Sequence, residues 1–504
     1  MTTLSTTDPR TGTTTPTLIE QTTPERLVEI TTLARDAFRN LSTRSRAWRA
    51  GLLQALADGL EEDREALVSA AMSETGLPQA RLTGELTRSI FQLRLFADVV
   101  TEGGYLEAII DHAGDTPLGP GPDVRRMLVP LGPVAVFGAS NFPFAFSVVG
   151  GDTASALAAG GSVVIKAHGS HLLTSQRSYE SLARSAAAHG APEGTIGIVY
   201  GQQAGADLVR DPRITAVGFT GSLSTGKILQ SLIDERPTPI PFYGELSSVN
   251  PLIVTAGAVA ERGEEIAEGL YTSFTASAGQ LCTKPGIALV PEGEAGDALA
   301  AGLVSRGGAA DPQTLLNSRI HHSFDEIRTR LIEEGHARSL LAPRAAEEGF
   351  ARTPAVLEID ADHVTPAVTE EAFGPLIVLV RYRDLAQIGA TLAAVPDSLT
   401  ATIHSAAGEA QERQALTEVV RDVVGRIIYD GYPTGVRVCW AMHHGGPWPA
   451  TNTQHTSVGA TAVRRFLRPL AWQDAPQEVL PPELREGQVG IPRRVDGVLR
   501  PSGS

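Results

Sequence analysis

Apolar residues recur at helical spacing through 23–41, 42–72 and 82–100, which predicts a helical N-terminal region. Thr23 before Pro24 marks where the first helix starts, with threonine as N-cap and proline in the turn where its missing N–H is not needed. Ahead of that, the threonine-rich residues 1–22 read as an irregular arm. The charges Glu61, Glu62, Asp63, Arg64 and Glu65 read as a solvated helix face. Between Asp111 and Asp123 the period disappears and Gly119-Pro120-Gly121-Pro122 marks a crossing between structural units, with a short strand at 124–130 after it. From Pro133 the pattern changes: continuous apolar strands at 134–137, 162–166 and 197–200 alternate with helices at about 144–159 and 172–189. Such alternation predicts a parallel sheet covered on both faces. A second alternation follows, with strands at 251–254, 287–290, 376–380 and 425–429 and a helix at about 259–278. Residues 473–504, rich in Pro, Glu and Arg, read as a surface tail with little to bury, and no solenoid repeat is present.

The length of 504 residues suggests two to four domains. At 42% hydrophobic and 20% charged, the chain has the composition of a soluble globular protein. The formal net charge of −15 argues against nucleic acid and anionic membranes as partners. No basic segment followed by an apolar run opens the chain, so no secretory signal is expected. The least polar long stretch, 142–165, contains Asp152, so a packed helix and strand are expected there in place of a membrane span. Two cysteines form no disulfide framework, which fits a reducing, cytoplasmic location.

One of those cysteines, Cys282, lies among small and polar residues just before Pro285-Gly286, where the backbone can open toward a ligand. As a nucleophile it needs a lowered pKa or a nearby base. Glu245, between Gly244 and Leu246, is a carboxylate whose partial desolvation would suit it as that base. Taken alone, a lone cysteine is more often a small buried hydrophobe. The adjacent His443 and His444 have no partner spacing for a metal and read as structural or surface histidines, so no metal site is expected.

Together with Gly138-Ala139-Ser140-Asn141-Phe142-Pro143-Phe144, Gly218-Phe219-Thr220-Gly221-Ser222 and Glu370-Glu371-Ala372-Phe373-Gly374-Pro375, these residues resemble the motifs of the aldehyde dehydrogenase superfamily, in its order. The resemblance implies an α/β fold: a Rossmann-type parallel-sheet cofactor domain (1–111 and 131–244), an α/β catalytic domain (245–455), a small β oligomerisation element (112–130 and 456–475) and a tail (476–504). It implies Cys282 as nucleophile, Asn141 as oxyanion donor with the Cys282 N–H, and Glu245 as the base that hydrolyses a thioester. It places Gly221 and Ser222 at the cofactor pyrophosphate, Glu371 at the nicotinamide ribose, Phe373 against the ring, Leu246 among the cofactor contacts and Lys166 at the adenine ribose. Where NAD-preferring members often carry glutamate, this chain has Gly169, so NADP is favoured, NAD being possible, with His168 and Ser170 as further donors. The sequence is similar to the branch containing 2-oxoglutarate semialdehyde (2,5-dioxopentanoate) dehydrogenases and NADP-dependent fatty aldehyde dehydrogenases. For a keto acid, Lys284 and Arg437 are the candidate cations; for a long-chain aldehyde, Phe142, Phe146, Trp440 and Trp448 are the candidate tunnel. The expected partners are a small-molecule aldehyde and further copies of the chain, as a homodimer or homotetramer. The competing readings are a cysteine acyl transferase or thioesterase, against which Ser222, Glu371 and Phe373 stand, and a non-catalytic nucleotide-binding protein, against which Asn141, Glu245 and Cys282 stand.

Overall fold

In a computed structural model the protein is described over residues 2–487 and 490–502; Met1 and, within the expected tail, residues 488–489 and 503–504 lie outside the described residues. Its first sheet has the strand order Phe242–Glu245, Ala216–Thr220, Val134–Phe137, Val163–Lys166, Ile196–Val199, all parallel. Alternate residues of these strands enter two different cores. Ala135, Phe137, Val164, Val199, Val217 and Phe219 pack under Leu27, Ile30 and Ala34 of the helix Pro24–Leu41 and under the helices Gln202–Arg210 and Leu223–Asp234. Val134, Val136, Val163, Ile165, Ile196 and Ile198 face the helices Arg46–Glu62, Gln79–Glu102, Gly151–Ala159 and Leu172–Ala188. Strands buried on both faces have no polar side to alternate, which is why they read as unbroken apolar runs. Thr23 caps the first helix as expected, accepting the Arg26 N–H.

The second sheet orders Arg338–Leu341, Ala355–Asp360, Leu376–Tyr382, Ile287–Pro291, Leu252–Val254, Ser398–His404 and Val424–Tyr429, parallel except for the first, antiparallel strand. The two sheets present opposite ends to the site. Loops leaving the carboxyl ends of the first sheet carry Asn141 and Ser222, and Lys166 and Glu245 are themselves the last residues of their strands. Loops entering the amino ends of the second carry Asn250, Cys282 and Glu371. The first arrangement is the usual location of a dinucleotide on an open parallel sheet.

A third sheet pairs Val124–Pro130 with Leu467–Gln473 and adds Ala108–Asp111, Arg493–Val495 and Val498–Arg500. The C-terminal segment is therefore not a loose surface tail. Leu480, Leu484, Ile491 and Val495 are buried, and Arg493–Val495 runs parallel to Ala108–Asp111. The N-terminal arm is likewise not irregular: Thr3–Asp8 and Thr13–Glu20 form an antiparallel hairpin, anchored by the Thr6 hydroxyl on the buried Glu74 carboxylate. The crossing at 111–123 holds a short hairpin of Gly114–Thr116 with Gly119–Gly121. Among the described residues no helix is long and apolar enough to cross a membrane.

Candidate active site

The segment before Cys282 leaves helical geometry abruptly. The helix Ala256–Thr275 ends, and Ser277, Ala278 and Gly279 all take left-handed backbone, with φ of 52°, 56° and 67°. For serine and alanine this costs about 1–2 kcal/mol each, so other contacts must hold it. Gln280 supplies them: its amide nitrogen donates to the Ser277 and Thr314 carbonyls at 3.1 and 3.3 Å, and its oxygen accepts the Leu316 N–H at 2.9 Å. Gly279 cannot be replaced, because a Cβ there would enter the Gly374 carbonyl. The cysteine loop thus rests directly on the 370–375 motif. Past Cys282, the buried Asn250 amide donates to the Cys282 and Lys284 carbonyls at 2.8 and 2.9 Å, fixing the backbone on both sides of the turn.

Asn141 is buried and points its amide at the same loop, donating to the Gln280 carbonyl at 2.9 Å. That bond uses one of its two N–H groups. Its loop is placed by the helix Gln79–Glu102: the buried Glu85 carboxylate accepts the Phe144 and Ala145 N–H groups at 2.8 Å each, and Arg81 pairs with Glu85 while donating to the Asn141 carbonyl and the Ser277 hydroxyl. The small-residue helix begins at Gly151 and not near Phe144 as expected, because 144–150 close into successive tight turns, with Ser147 N–H on the Phe144 carbonyl and Gly150 N–H on the Ser147 carbonyl.

Glu245 is buried, with one oxygen on the fully buried Arg465 and the other without a hydrogen-bond partner. Arg465 also holds Asp152 at 3.2 Å. Burial is the main force on Glu245 and pushes its carboxyl up to about 7, the Arg465 charge offsetting part of that and Asp152 adding to it. Burial likewise pushes the Cys282 thiol up to about 12, reinforced by Glu245 and Glu371. At Cys282 Sγ the structure places a group that the sequence reading assigned to structure or surface: His444 Nε2 lies 3.6 Å away. Burial first, then the nearby arginines, push His444 down to about 3, so it is a neutral imidazole. Thr456 and Ser457 pin its backbone. No local spacing signals this, since Cys282 and His444 are 162 residues apart.

Of the expected pocket residues, Phe142 and Phe146 meet edge to face at 5.2 Å, and Phe146 lies 6.1 Å from the His444 ring. The others do not join them. Trp440 and Trp448 are half exposed, at 51% and 53%. Lys284 is turned away from any substrate: its buried ammonium donates to the Ala372 and Leu376 carbonyls at 2.8 and 3.0 Å and lies under Glu371. Arg437 is exposed.

On the cofactor side Glu371 accepts from the Ser247 hydroxyl at 2.6 Å and the Ser248 N–H at 3.2 Å through one oxygen, leaving the other without a hydrogen bond among the described residues. Phe373 packs at the edge of the main core, and Gly374 behind it abuts Phe324. Ser222 caps the helix Leu223–Asp234, accepting the Thr225 N–H. The Gly221 N–H, expected to face a phosphate, is bound to the Glu245 carbonyl at 3.0 Å, because this turn lies beside the strand that ends at Glu245. Leu246 fills the space over Gly226. Lys166 ends its strand with no acceptor for its ammonium among the described residues, and burial pushes it below its ordinary range. His168 is held well below its ordinary range by burial and by neighbouring cations, among them Lys166 and the exposed Arg319. Its Nδ1 accepts the Ser170 N–H at 3.1 Å, which leaves Nε2–H as a donor, and the Ser170 hydroxyl accepts from Asn317 at 3.0 Å. An unpartnered ammonium and a capped helix start at the carboxyl ends of the first sheet, with the Glu371 carboxylate on a loop at the amino ends of the second, fit a dinucleotide.

Residues 1–420 match the model of the Aldehyde dehydrogenase family. Alpha-ketoglutaric semialdehyde dehydrogenase 2 of Azospirillum brasilense is 44% identical over 476 residues, covering 92% of this chain and 90% of that protein. Alpha-ketoglutaric semialdehyde dehydrogenase of Acinetobacter baylyi is 38% identical over 489 residues, covering 96% and 93%. Among solved structures, glyceraldehyde-3-phosphate dehydrogenase GapN of Methanocaldococcus jannaschii complexed with NADP superposes with a TM-score of 0.80 at 19% identity, over 93% of this chain and 98% of that one. Aldehyde dehydrogenase 21 of Physcomitrella patens in complex with the reaction product succinate gives 0.79 at 19% identity, over 94% and 95%. At such identities the structures speak to the fold.

Proposed function

Because the chain belongs to the aldehyde dehydrogenase family, an oxidoreductase family working with a nicotinamide cofactor, we propose that it oxidises 2-oxoglutarate semialdehyde to the dicarboxylic acid with NADP. The observation that carries the chemistry is the meeting of Cys282, Asn141 and Glu245 where the two sheets face each other. The substrate follows from the relatives named for this semialdehyde, whose likeness runs over nearly the whole chain.

In this reading the Cys282 sulfur attacks the aldehyde carbon while the thiol proton leaves toward a base. Glu245, at about 7, is a far better acceptor than His444, at about 3, so the proton goes to Glu245 and the imidazole orients Sγ. The second Asn141 N–H and the Cys282 N–H receive the new oxyanion. Bound nicotinamide supplies the hydride acceptor, and Lys166, Ser222, Glu371 and Phe373 would hold the dinucleotide. Once it has released the thiol proton to solvent, Glu245 takes a proton from the water that hydrolyses the thioester on Cys282, whose sulfur leaves as the thiolate. Asn141→Ala is expected to lower kcat/KM by about 100- to 1000-fold, the usual cost of one oxyanion donor, in steady-state assays that also record an unchanged unfolding temperature.

NADP is favoured because no carboxylate lies against Lys166, leaving room for a 2′-phosphate beside it, with His168 Nε2–H, Ser170 and Arg319 nearby. A Cβ at Gly169 would meet nothing within 4 Å, so a side chain fits there. Gly169→Glu is expected to lower the NADP-to-NAD preference in kcat/KM by about 10- to 100-fold through charge repulsion; an unchanged preference would place the 2′-phosphate elsewhere. The assembly we favour is a homodimer or homotetramer joined through the third sheet.

The direct test compares NADPH formation with 2,5-dioxopentanoate and with hexanal. Faster turnover of the dioxo acid supports the assignment. Preference for hexanal moves the chain to aliphatic aldehydes, and no nucleotide reduction with any aldehyde returns it to acyl transfer.

A further inference from the structure

The helix Gln79–Glu102 presents Arg81, Glu85 and Arg88 at i, i+4 and i+7, on one face. Arg81 and Glu85 are spent on each other and on the loops around Asn141 and Ser277. Arg88 is not spent: among the described residues it has no ion pair or hydrogen bond, and its buried Nη1 has no acceptor. Its guanidinium carbon stacks over Phe146 at 5.2 Å from the ring centroid, and Phe146 leads through His444 to Cys282 Sγ. A second arginine enters from the other sheet. Arg426, near the amino end of Val424–Tyr429, uses one Nη on the Pro433 carbonyl at 2.9 Å, and its buried Nε is unpartnered. Both guanidinium groups act electrostatically on Cys282 and His444, so they lie around the same pair of side chains.

A buried cation without an anion is costly, and a planar N–H fork is the side chain suited to a carboxylate. We propose that Arg88, with Arg426, is the specificity-determining clamp that receives the 2-oxo-carboxylate end of the semialdehyde while its aldehyde end reaches Cys282. This assignment rests on the semialdehyde reading and replaces Lys284 and Arg437, which the fold turns elsewhere. The Phe142 and Phe146 rings then line the span between the charged end and the sulfur.

The test is Arg88→Met, a substitution that keeps the stacked length over Phe146 and removes the charge. The readout is the ratio of kcat/KM for 2,5-dioxopentanoate to that for pentanal, an uncharged aldehyde of equal chain length. The ratio is expected to fall by about 100-fold or more, carried by KM, as for a buried charged group left without its partner. Arg88→Lys is expected to recover part of it, and Arg426→Met to repeat the split independently. An unchanged ratio in folded Arg88→Met and Arg426→Met, including one in which both aldehydes decline together, overturns the clamp while leaving the semialdehyde reading intact. A wild-type enzyme that oxidises pentanal but not the dioxo acid overturns that reading, and the clamp with it.

Discussion

Cys282→Ser is expected to lower turnover of every aldehyde by about 10⁴-fold or more, the scale on which loss of a nucleophile acts. The effect is this large because the site is already unkind to the anion. Burial, Glu245 and Glu371 hold the thiol at about 12, so even sulfur attacks only as its proton is withdrawn. A serine hydroxyl is intrinsically more basic than a thiol and meets the same desolvation and the same two carboxylates. His444 cannot rescue it, since a neutral imidazole held near 3 makes a poor proton acceptor. Steady-state rates with dinucleotide binding as a control for folding check this. Activity within about tenfold of wild type would mean that Cys282 is not the nucleophile.

The second large effect falls on Glu245. Glu245→Gln keeps the shape that meets Arg465 but removes the base, and hydrolysis of the acyl-enzyme is expected to slow by about 10²- to 10⁴-fold. Formation of the thioester suffers less, because the same substitution removes a negative charge that raises the Cys282 thiol, so one equivalent of NADPH should appear in a burst before turnover stalls. The pH dependence follows from the sign of the shift. Glu245 is raised to about 7 by burial, and only its ionised form is a base. Wild-type kcat, where deacylation limits it, should therefore fall as pH drops through about 7, and that limb should be absent from the glutamine variant. A variant profile that keeps the limb would assign it to another group.

The candidate residues Asn141, Glu245 and Cys282 were legible because each sits in a short local run: Asn-Phe-Pro, Gly-Glu and the cysteine turn. What the sequence hid is carried by contacts across the chain. His444 reaches Cys282 from 162 residues away, and Glu85 is a helix residue whose part shows only once the loop after Asn141 that it holds is placed beside it. Lys284 was misplaced for the opposite reason. Two residues from Cys282, it looks like a substrate cation, yet the same turn folds its ammonium onto the Ala372 and Leu376 carbonyls. The terminal segments failed on period. Leu480, Leu484, Ile491 and Val495 are spaced irregularly among prolines and glycines, so no pattern announces that they are buried or that a strand joins Ala108–Asp111. In the arm, threonines on a two-stranded hairpin leave most of one face exposed, and the apolar alternation that marks a strand is confined to Thr17 and Ile19.

The most direct measurement of the central claim is mass analysis of Glu245→Gln quenched during the burst with 2,5-dioxopentanoate and NADP. The account predicts one acyl group of the substrate's mass less a hydride, attached to the peptide containing Cys282 and released by hydroxylamine. NADPH formed with no adduct on that peptide, or an adduct on Cys439 instead, would contradict it.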